Sequence, residues 1–220
     1  MAVMGSIGSI LSQTLVMLYN LTGNHGVAII ILTVLIRLVL LPLTLSQTRS
    51  VAAMKELQPK MKALEEKYKD KPEEYQRRMM ELYKEHGVNP LSGCLPLLIQ
   101  LPFLWALFGV LRDFPSGIAP EAFTRPFESS FLFWDLAVKD PLYILPILSG
   151  LTTYLQMSTA ATDPSQKSMM VFMPIFITWI SLSFPAGLVL YWIVSNVLTI
   201  AQQAWISRHP GLVQGGSDAK

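Results

Sequence analysis

Long uncharged apolar runs alternate with short charged segments along this chain. Because a hydrocarbon core about 30 Å thick needs about 20 helical residues, runs of this length suit membrane-spanning helices. The last two runs form one uncharged stretch, which Pro185 and Gly187 divide by closing a tight turn. The pattern therefore predicts an all-α polytopic membrane protein with five transmembrane helices, at residues 27–47, 91–111, 141–161, 169–184 and 188–207.

The composition agrees with a membrane protein. Of the 220 residues, 51% are hydrophobic and only 15% are charged, and the mean hydropathy is +0.41. Soluble proteins usually carry about 25% charged residues. Cys94 is the single cysteine, which excludes an intramolecular disulfide and a metal cluster built on cysteines. We therefore expect Cys94 to be a small packed residue and expect no metal site.

The basic residues predict the orientation in the membrane. Residues 48–90 contain ten of the seventeen Lys and Arg residues, whereas the 112–140 loop contains three. Short loops rich in Lys and Arg stay in the cytoplasm, so the 48–90 segment is expected inside and the 112–140 loop outside. The 162–168 loop and the 208–220 tail then lie in the cytoplasm and the N-terminus lies outside, which puts thirteen basic residues inside and three outside.

Residues 1–26 precede the first predicted span and contain no Lys, Arg, Asp or Glu. They lack the basic start and the small-residue cleavage site of a secretory signal. Helical spacing favours an extracytoplasmic helix lying in the membrane interface, with the apolar positions Ile7, Ile10, Leu11, Leu15 and Leu18. A sixth span is the alternative, and it would place the N-terminus inside without moving the other five.

The charged 48–90 segment has the spacing of a cytoplasmic helical hairpin. Its apolar positions step by three and four residues, which is typical of helices that pack along a seam. The pattern breaks at Lys71 and Pro72, where a second helix begins, and Pro59 either kinks the first helix or begins it. The predicted seam consists of Met54, Leu57, Met61, Leu64, Tyr68, Tyr75, Met79 and Leu82. The hairpin is either a self-contained spacer or a docking arm for a partner or for anionic lipid headgroups.

Arg37 is the midpoint of the first predicted span. A central arginine costs about 2.5–3.5 kcal/mol on insertion scales, so it normally faces water, a carboxylate or the interior of a bundle. None of the five predicted spans contains an acidic residue. Water, helix C-terminal carbonyls, polar side chains or a negative charge brought by another molecule remain as partners, and we interpret Arg37 as a hydrated functional site.

Polar side chains recur at helical spacing in the other predicted spans. Each of them alone is typical of hydrogen bonding between membrane helices. Together they predict a hydrophilic groove lined by Arg37, Thr33, Gln100, Thr152, Gln156, Tyr191, Ser195 and Thr199, with Gln202 continuing the stripe of the last span. A continuous pore is disfavoured because these side chains are sparse and contain no charged ring.

Catalysis has little support in the sequence. The histidines, His25, His86 and His209, lie in loops or beside the ends of spans, so no span offers a base that would activate a serine. A phosphate-binding Gly-rich loop ending in Gly-Lys-Ser/Thr is absent from the sequence. We therefore expect a protein that is not an enzyme and uses no cofactor.

Three stretches in this order resemble the YidC-type membrane protein insertases, a family with mitochondrial and chloroplast relatives. They read AIIILTVLIRLVLLPLT, LQPKMKALEEKYKDKPEEYQRRMMELYKEHGVNPLSGCLPLLIQLPF and FPAGLVLYWIVSNVLTIAQQ. The length resembles the short five-span bacterial form, which has no large extracytoplasmic domain. Many short members begin with a lipoprotein signal, and this chain shows none.

The resemblance implies a membrane protein insertase and chaperone in the bacterial plasma membrane. It places the family's groove arginine at Arg37 and its substrate-contacting threonine and tyrosine at Thr33 and Tyr191. It also implies a groove open to the cytoplasm and the lipid and closed to the outside, with the hairpin as a mobile arm. Implied partners are nascent membrane proteins, membrane lipids, the ribosome and the Sec translocon, without direct recognition of nucleic acid. Because the tail has only Arg208 and Lys220, strong ribosome docking is not expected.

Two other functions compete with insertion. A small anion channel or transporter would use Arg37 as its binding site, and it would favour inverted repeats, which these spans do not show. A structural assembly chaperone that folds inserted helices would have no need for Arg37.

Overall fold

The computed structural model describes residues 2–87, 105–111, 122–124, 126–160 and 167–208, and excludes the side chains of residues 2–5, 46–55, 160, 167, 168 and 207. The described residues form eight helices and one very short β-hairpin, and this confirms the all-α fold. In chain order they are α1 Ala2–Thr22, α2 His25–Val39, α3 Leu41–Lys67, α4 Pro72–Glu85, α5 (105–111), β1 Ser130–Phe131, β2 Trp134–Asp135, α6 Ile144–Ala160, α7 Lys167–Ser181 and α8 Ala186–Arg208. Of the predicted span 91–111, only residues 105–111 are described.

α1 and α2 are joined by a two-residue turn. Gly23 adopts a left-handed conformation with a φ of 68°, which glycine tolerates because it has no Cβ, and its amide donates to the Tyr19 carbonyl. Asn24 then caps α2, since its side-chain oxygen accepts from the Val27 amide at 3.1 Å. α1 packs against α2, and its buried side chains include Leu11, Leu15, Leu18 and Tyr19, whereas Ile10 is exposed. The location of α1 in the membrane interface stays a prediction.

The single helix predicted over residues 27–47 is wrong. α2 ends at Val39, and α3 begins at Leu41 after a break at Leu40. Pro42 explains the break, because its nitrogen has no hydrogen to donate and its ring would clash with the carbonyl four residues earlier. Pro42 is instead accommodated in the first turn of α3. The hairpin arm formed by α3 and α4 therefore starts directly at the end of α2.

α2, α6, α7 and α8 form the bundle that carries the candidate site. α8 packs against both α2 and α6, and α7 packs against α6. Gly150 permits the close approach of α6 and α7, because a Cβ there would meet the side chain of Thr178 and the carbonyl of Pro174. The buried core includes Leu15, Ile29, Leu107, Leu136 and Leu190.

One helix of the described residues, Ala186–Ile206, is long and apolar enough to cross a bilayer by length and composition. His25–Val39 and Met169–Ser181 are shorter apolar helices. The count of five spans stays a prediction.

Residues 126–143 cover the end of the bundle where α2 and α8 begin, which we call the loop end. The Tyr19 hydroxyl donates to the Pro126 carbonyl and accepts from the Glu128 amide, both at 2.8 Å. The Gly187 amide donates to the Leu136 carbonyl at 3.0 Å, and the Phe131 ring leaves no room for a Cβ at Gly26. The sequence predicted only a connecting loop here, because these contacts join residues far apart in the chain.

Candidate functional site

Arg37 lies in the last turn of α2 and reaches across to α8. Its Nη2 donates to the Ser195 carbonyl at 3.1 Å and to the Ser195 hydroxyl at 2.5 Å. Eight residues nearer the loop end on each helix, Gly187 of α8 faces Ile29 of α2. A Cβ at Gly187 would lie 3.3 Å from the Ile29 side chain. Because both pairs are separated by eight residues along each helix, α2 and α8 run parallel in a fixed register.

Neutral groups hold Arg37 in this structure. Its acceptors among the described residues are the two oxygens of Ser195, and the described ion pairs lie elsewhere, in α4. Arg37 was predicted at the middle of a helix but lies at its C-terminal end, where the last carbonyls carry partial negative charge and favour a cation. A guanidinium has five N–H donors, so the Ser195 contacts leave donors for an incoming anion.

The α2–α8 interface brings together five of the predicted groove residues. Thr33 and Tyr191 each lie one turn nearer the loop end than Arg37 and Ser195, respectively, and both are buried. The Thr33 hydroxyl donates to the Ile29 carbonyl within its own helix at 2.7 Å. Thr199 donates to the Ser195 carbonyl at 2.8 Å, so that carbonyl accepts from both Thr199 and Arg37. These side chains are therefore packed between two helices rather than exposed on one surface.

Thr152 belongs to a separate polar cluster between α6 and α8. The Asn196 amide lies 3.2 Å from the Thr152 hydroxyl and 3.0 Å from the Thr153 hydroxyl. Trp192 Nε1 also donates to the Thr153 hydroxyl at 3.0 Å. Gln156 is half-buried one turn beyond Thr152 on α6, and Gln100 lies outside the described residues. The sequence predicted one cavity for all of these residues, but the structure puts Thr152 against a different side of α8.

Three residues of the α6–α8 cluster were not predicted as site residues. Thr153, Trp192 and Asn196 were missed because a single polar residue in an apolar helix gives no sign of its partner. Gln202 was seen as part of the stripe, and its Nε2 is buried without a hydrogen-bond partner among the described residues. The signal that singles out Gln202 is structural, since buried amide nitrogens are normally paired.

The arm formed by α3 and α4 is a second candidate surface. Leu57 and Met61 of α3 pack against Met79, Leu82 and Tyr83 of α4, with Leu64 and Tyr75 at the edge of this cluster. Tyr68 does not belong to the cluster because it caps the end of α3, and the Met54 side chain lies outside those described. Pro59 lies inside α3, so of the two alternatives for Pro59, the one in which it begins the helix is wrong.

The outer face of the arm is charged. Glu74 and Glu81 pair with Arg77 and Arg78, with the shortest contacts at 2.7 and 2.9 Å. A hydrogen bond to Glu81, together with its charge, raises the pKa of the exposed Arg78. Lys60 Nζ lies 2.8 Å from His86 Nε2, which ties the end of α4 to α3. The arm is thus a closed two-helix unit with a solvated exterior.

A cavity of about 540 Å³ lies near the loop end, between α1 and residues 122–124. Val16, Met17 and Asn20 line it, so it is remote from Arg37 in the last turn of α2. Within the described residues, no three His, Cys, Asp or Glu side chains form a group that could hold a metal ion.

An all-helical bundle with an arginine held between apolar helices is typical of polytopic membrane proteins. Residues 17–211 match the family model described as 60Kd inner membrane protein. This match covers most of the chain, and the chain belongs to that family, the YidC-type membrane protein insertases.

Curated relatives and a solved structure agree with this family. The chain is 46% identical over 202 residues to the protein named membrane protein insertase YidC from Geobacter sulfurreducens, covering 90% of this chain and 36% of that protein. It is also 46% identical over 196 residues to the protein of that name from Francisella tularensis subsp. novicida, covering 87% and 34%. An active YidC insertase crystal structure with its first transmembrane domain resolved matches with a TM-score of 0.73 and 32% identity, covering 91% of this chain and 46% of that one. The chain thus spans about a third of the length of these curated relatives.

Proposed function

We propose that this chain inserts nascent membrane proteins into the lipid bilayer through a hydrophilic groove beside Arg37, without catalysis or a cofactor. The names of its relatives support insertion as the activity. The groove is proposed to open to the cytoplasm and the lipid, and the protein to lie in the bacterial plasma membrane with five spans, its N-terminus outside and its C-terminus in the cytoplasm.

The observation that carries this proposal is the contact between Arg37 and Ser195. Arg37 is half-buried and bound to neutral oxygens, so its charge has no carboxylate partner among the described residues. A client carboxylate about 4 Å away gains about 4 kcal/mol at an effective dielectric constant near 20. That gain offsets part of the cost of removing the carboxylate from water.

The path proposed for the client follows from the two ends of the bundle. Residues 126–143 pack over the loop end, whereas α3 leaves α2 at Leu40. A client entering from the arm end would place its acidic segment beside Arg37 and release its apolar segment into the lipid. Burial of that apolar segment away from water supplies the driving force.

Nascent membrane proteins and lipids are the partners that this mechanism requires. Recruitment of the ribosome or of the Sec translocon is a further proposal, for which the α3–α4 arm is the available cytoplasmic surface. The exposed ion pairs of α4 support a docking role through polar contacts rather than through a strongly basic patch.

The insertion of a single-span client with an acidic N-terminal tail tests the role of Arg37. We expect Arg37→Ala to lower insertion into liposomes at least about tenfold, which corresponds to about 1.4 kcal/mol of the estimated attraction. Arg37→Lys should keep much of the activity, because it keeps the charge. Arg208→Ala is the matched control, since Arg208 is exposed at the end of α8.

Wild-type insertion by Arg37→Ala would contradict the electrostatic mechanism and favour a chaperone that acts after insertion. Rapid anion flux through liposomes that hold the purified protein would favour the competing function, a small anion channel or transporter. The packing of residues 126–143 over the loop end argues against an open path through the bundle.

Crosslinking to a stalled nascent chain gives a second test. Thr33 and Tyr191 are buried between α2 and α8. A photoreactive group at either position reaches a client only when these helices separate. We expect crosslinks during insertion and none from Ser149, which is buried between α6 and α7, where its hydroxyl lies 3.0 Å from that of Ser181.

A further inference from the structure

The loop that covers the loop end exposes two pairs of large apolar side chains, which we call the loop patch. Leu132 and Phe133 form the turn between β1 and β2, and 75% and 66% of their surface is exposed. Leu142 and Tyr143 directly precede α6 and are 56% and 58% exposed. Scattered apolar residues are common on surfaces, but four large ones on one short loop mark an interaction surface.

Asp140 holds the two halves of the loop patch together. This side chain is buried, and its Oδ1 accepts from Trp134 Nε1 at 3.1 Å and from the Leu142 amide at 2.9 Å. Its Oδ2 accepts from the Leu145 amide at 2.7 Å, in the first turn of α6. The exposed residues are therefore fixed by hydrogen bonds on both sides, and their exposure is part of the folded loop.

The backbone conformation supports a functional reason for this exposure. Leu132 and Tyr143 have φ values of 56° and 58°, in the left-handed region that bulky residues rarely adopt. Glycine or asparagine would occupy both positions with less strain. Strain retained at bulky exposed residues is typical of sites where the side chains are needed.

We propose that the loop patch inserts into the lipid headgroup region at the loop end of the bundle. Its apolar surface continues onto α6, because Tyr143, Ile147 and Leu151 follow one another at four-residue steps and are all exposed. Tyrosine is enriched at membrane interfaces, because its ring is apolar and its hydroxyl is polar, and Tyr143 belongs to the loop patch.

The neighbouring charges fit the same location. Asp135 and Lys139 are exposed beside the loop patch, so they remain in contact with water and headgroups while the apolar side chains enter the lipid. Residues 126–143 pack on α1, α2 and α8. The loop patch would then anchor this loop to the membrane surface. This role is independent of insertion activity and of which side of the membrane the loop end faces.

Depth-dependent fluorescence quenching tests the proposal on the full chain. Cys94→Ser removes the single cysteine, and Phe133→Cys then carries an environment-sensitive dye. The labelled protein is reconstituted in phosphatidylcholine and phosphatidylglycerol vesicles that contain lipids with a nitroxide near the headgroup. Glu128→Cys provides the control, because Glu128 is exposed on the same loop outside the loop patch.

We expect the nitroxide lipid to quench the dye at position 133 at least about threefold more strongly than at position 128, as insertion at the interface requires. Aqueous iodide should instead quench the dye more strongly at position 128 than at position 133. Equal iodide quenching at both positions would overturn the proposal, as would shielding of position 133 that appears only when another protein is added. Leu132→Cys repeats the measurement at the neighbouring position, so poor folding of one variant leaves the test intact.

Discussion

Arg37 donates to both the hydroxyl and the backbone carbonyl of Ser195, 158 positions further along the chain. The carbonyl contact depends on the path of α8, and only the hydroxyl contact depends on the serine side chain. Thr199 uses the same carbonyl, so the C-terminal end of α2 is joined to a fixed point of α8.

Ser195→Ala should lower the free energy of unfolding by about 1.5–3 kcal/mol, because it removes one hydrogen bond to a charged group and keeps the carbonyl contact. Thermal unfolding in detergent measures the change. Ser158→Ala is the control, since Ser158 is exposed on α6 and bonds to the Leu155 carbonyl of its own helix. Equal effects of the two substitutions would contradict a special role of the Ser195 hydroxyl.

Gln202→Leu should separate stability from insertion. Removing Gln202 Nε2, which is buried without a hydrogen-bond partner among the described residues, should raise the free energy of unfolding by about 1–3 kcal/mol. If the Gln202 amide binds clients, the same substitution should also lower client insertion. Unfolding and insertion are both measured on the same purified protein. Gln203→Leu should instead destabilise the protein, because the Gln203 side chain accepts from the Thr159 hydroxyl. Unchanged insertion by Gln202→Leu would exclude Gln202 from client binding.

The contact between Asn196 and Thr153 should appear as a coupling energy in a double-mutant cycle. Alanine substitutions at the two positions should interact by about 0.5–2 kcal/mol, as hydrogen bonds between membrane helices do. Thr178 bonds to the Pro174 carbonyl of its own helix, so Asn196 and Thr178 provide the uncoupled control pair. A coupling within about 0.3 kcal/mol of zero for Asn196 and Thr153 would mean that this contact does not help to hold α6 against α8.

Met79 and Met80 give a matched pair for the arm. Met79 is buried against α3, whereas 50% of the Met80 surface is exposed. Met79→Ala should destabilise the arm by about 2 kcal/mol or more and speed amide hydrogen exchange in α4. Met80→Ala should stay within about 0.5 kcal/mol of the original protein. Similar exchange rates in both variants would show that the seam does not hold the arm together.

Local patterns in the sequence predicted much of the helical structure. The three-and-four spacing of Leu57, Met61, Met79 and Leu82 identified the residues that pack in the arm. Uncharged runs identified the segments that form α6, α7 and α8. Such patterns are readable because each helix must turn one apolar face toward its neighbours, and the periodicity of that face is local.

Tertiary structure decided where the polar residues meet. The break at Leu40 moved Arg37 from a predicted mid-helix position to a helix end, and the parallel register of α2 and α8 set Ser195 against it. Asp140 gained its role from Trp134 and from the start of α6. The sequence alone determined which polar and charged residues would cost free energy if they lay in a membrane without a hydrogen-bond partner. Which partner each one receives depended on the packing of helices distant in the chain, because hydrogen bonds require contact in space and neighbours along the chain do not specify it.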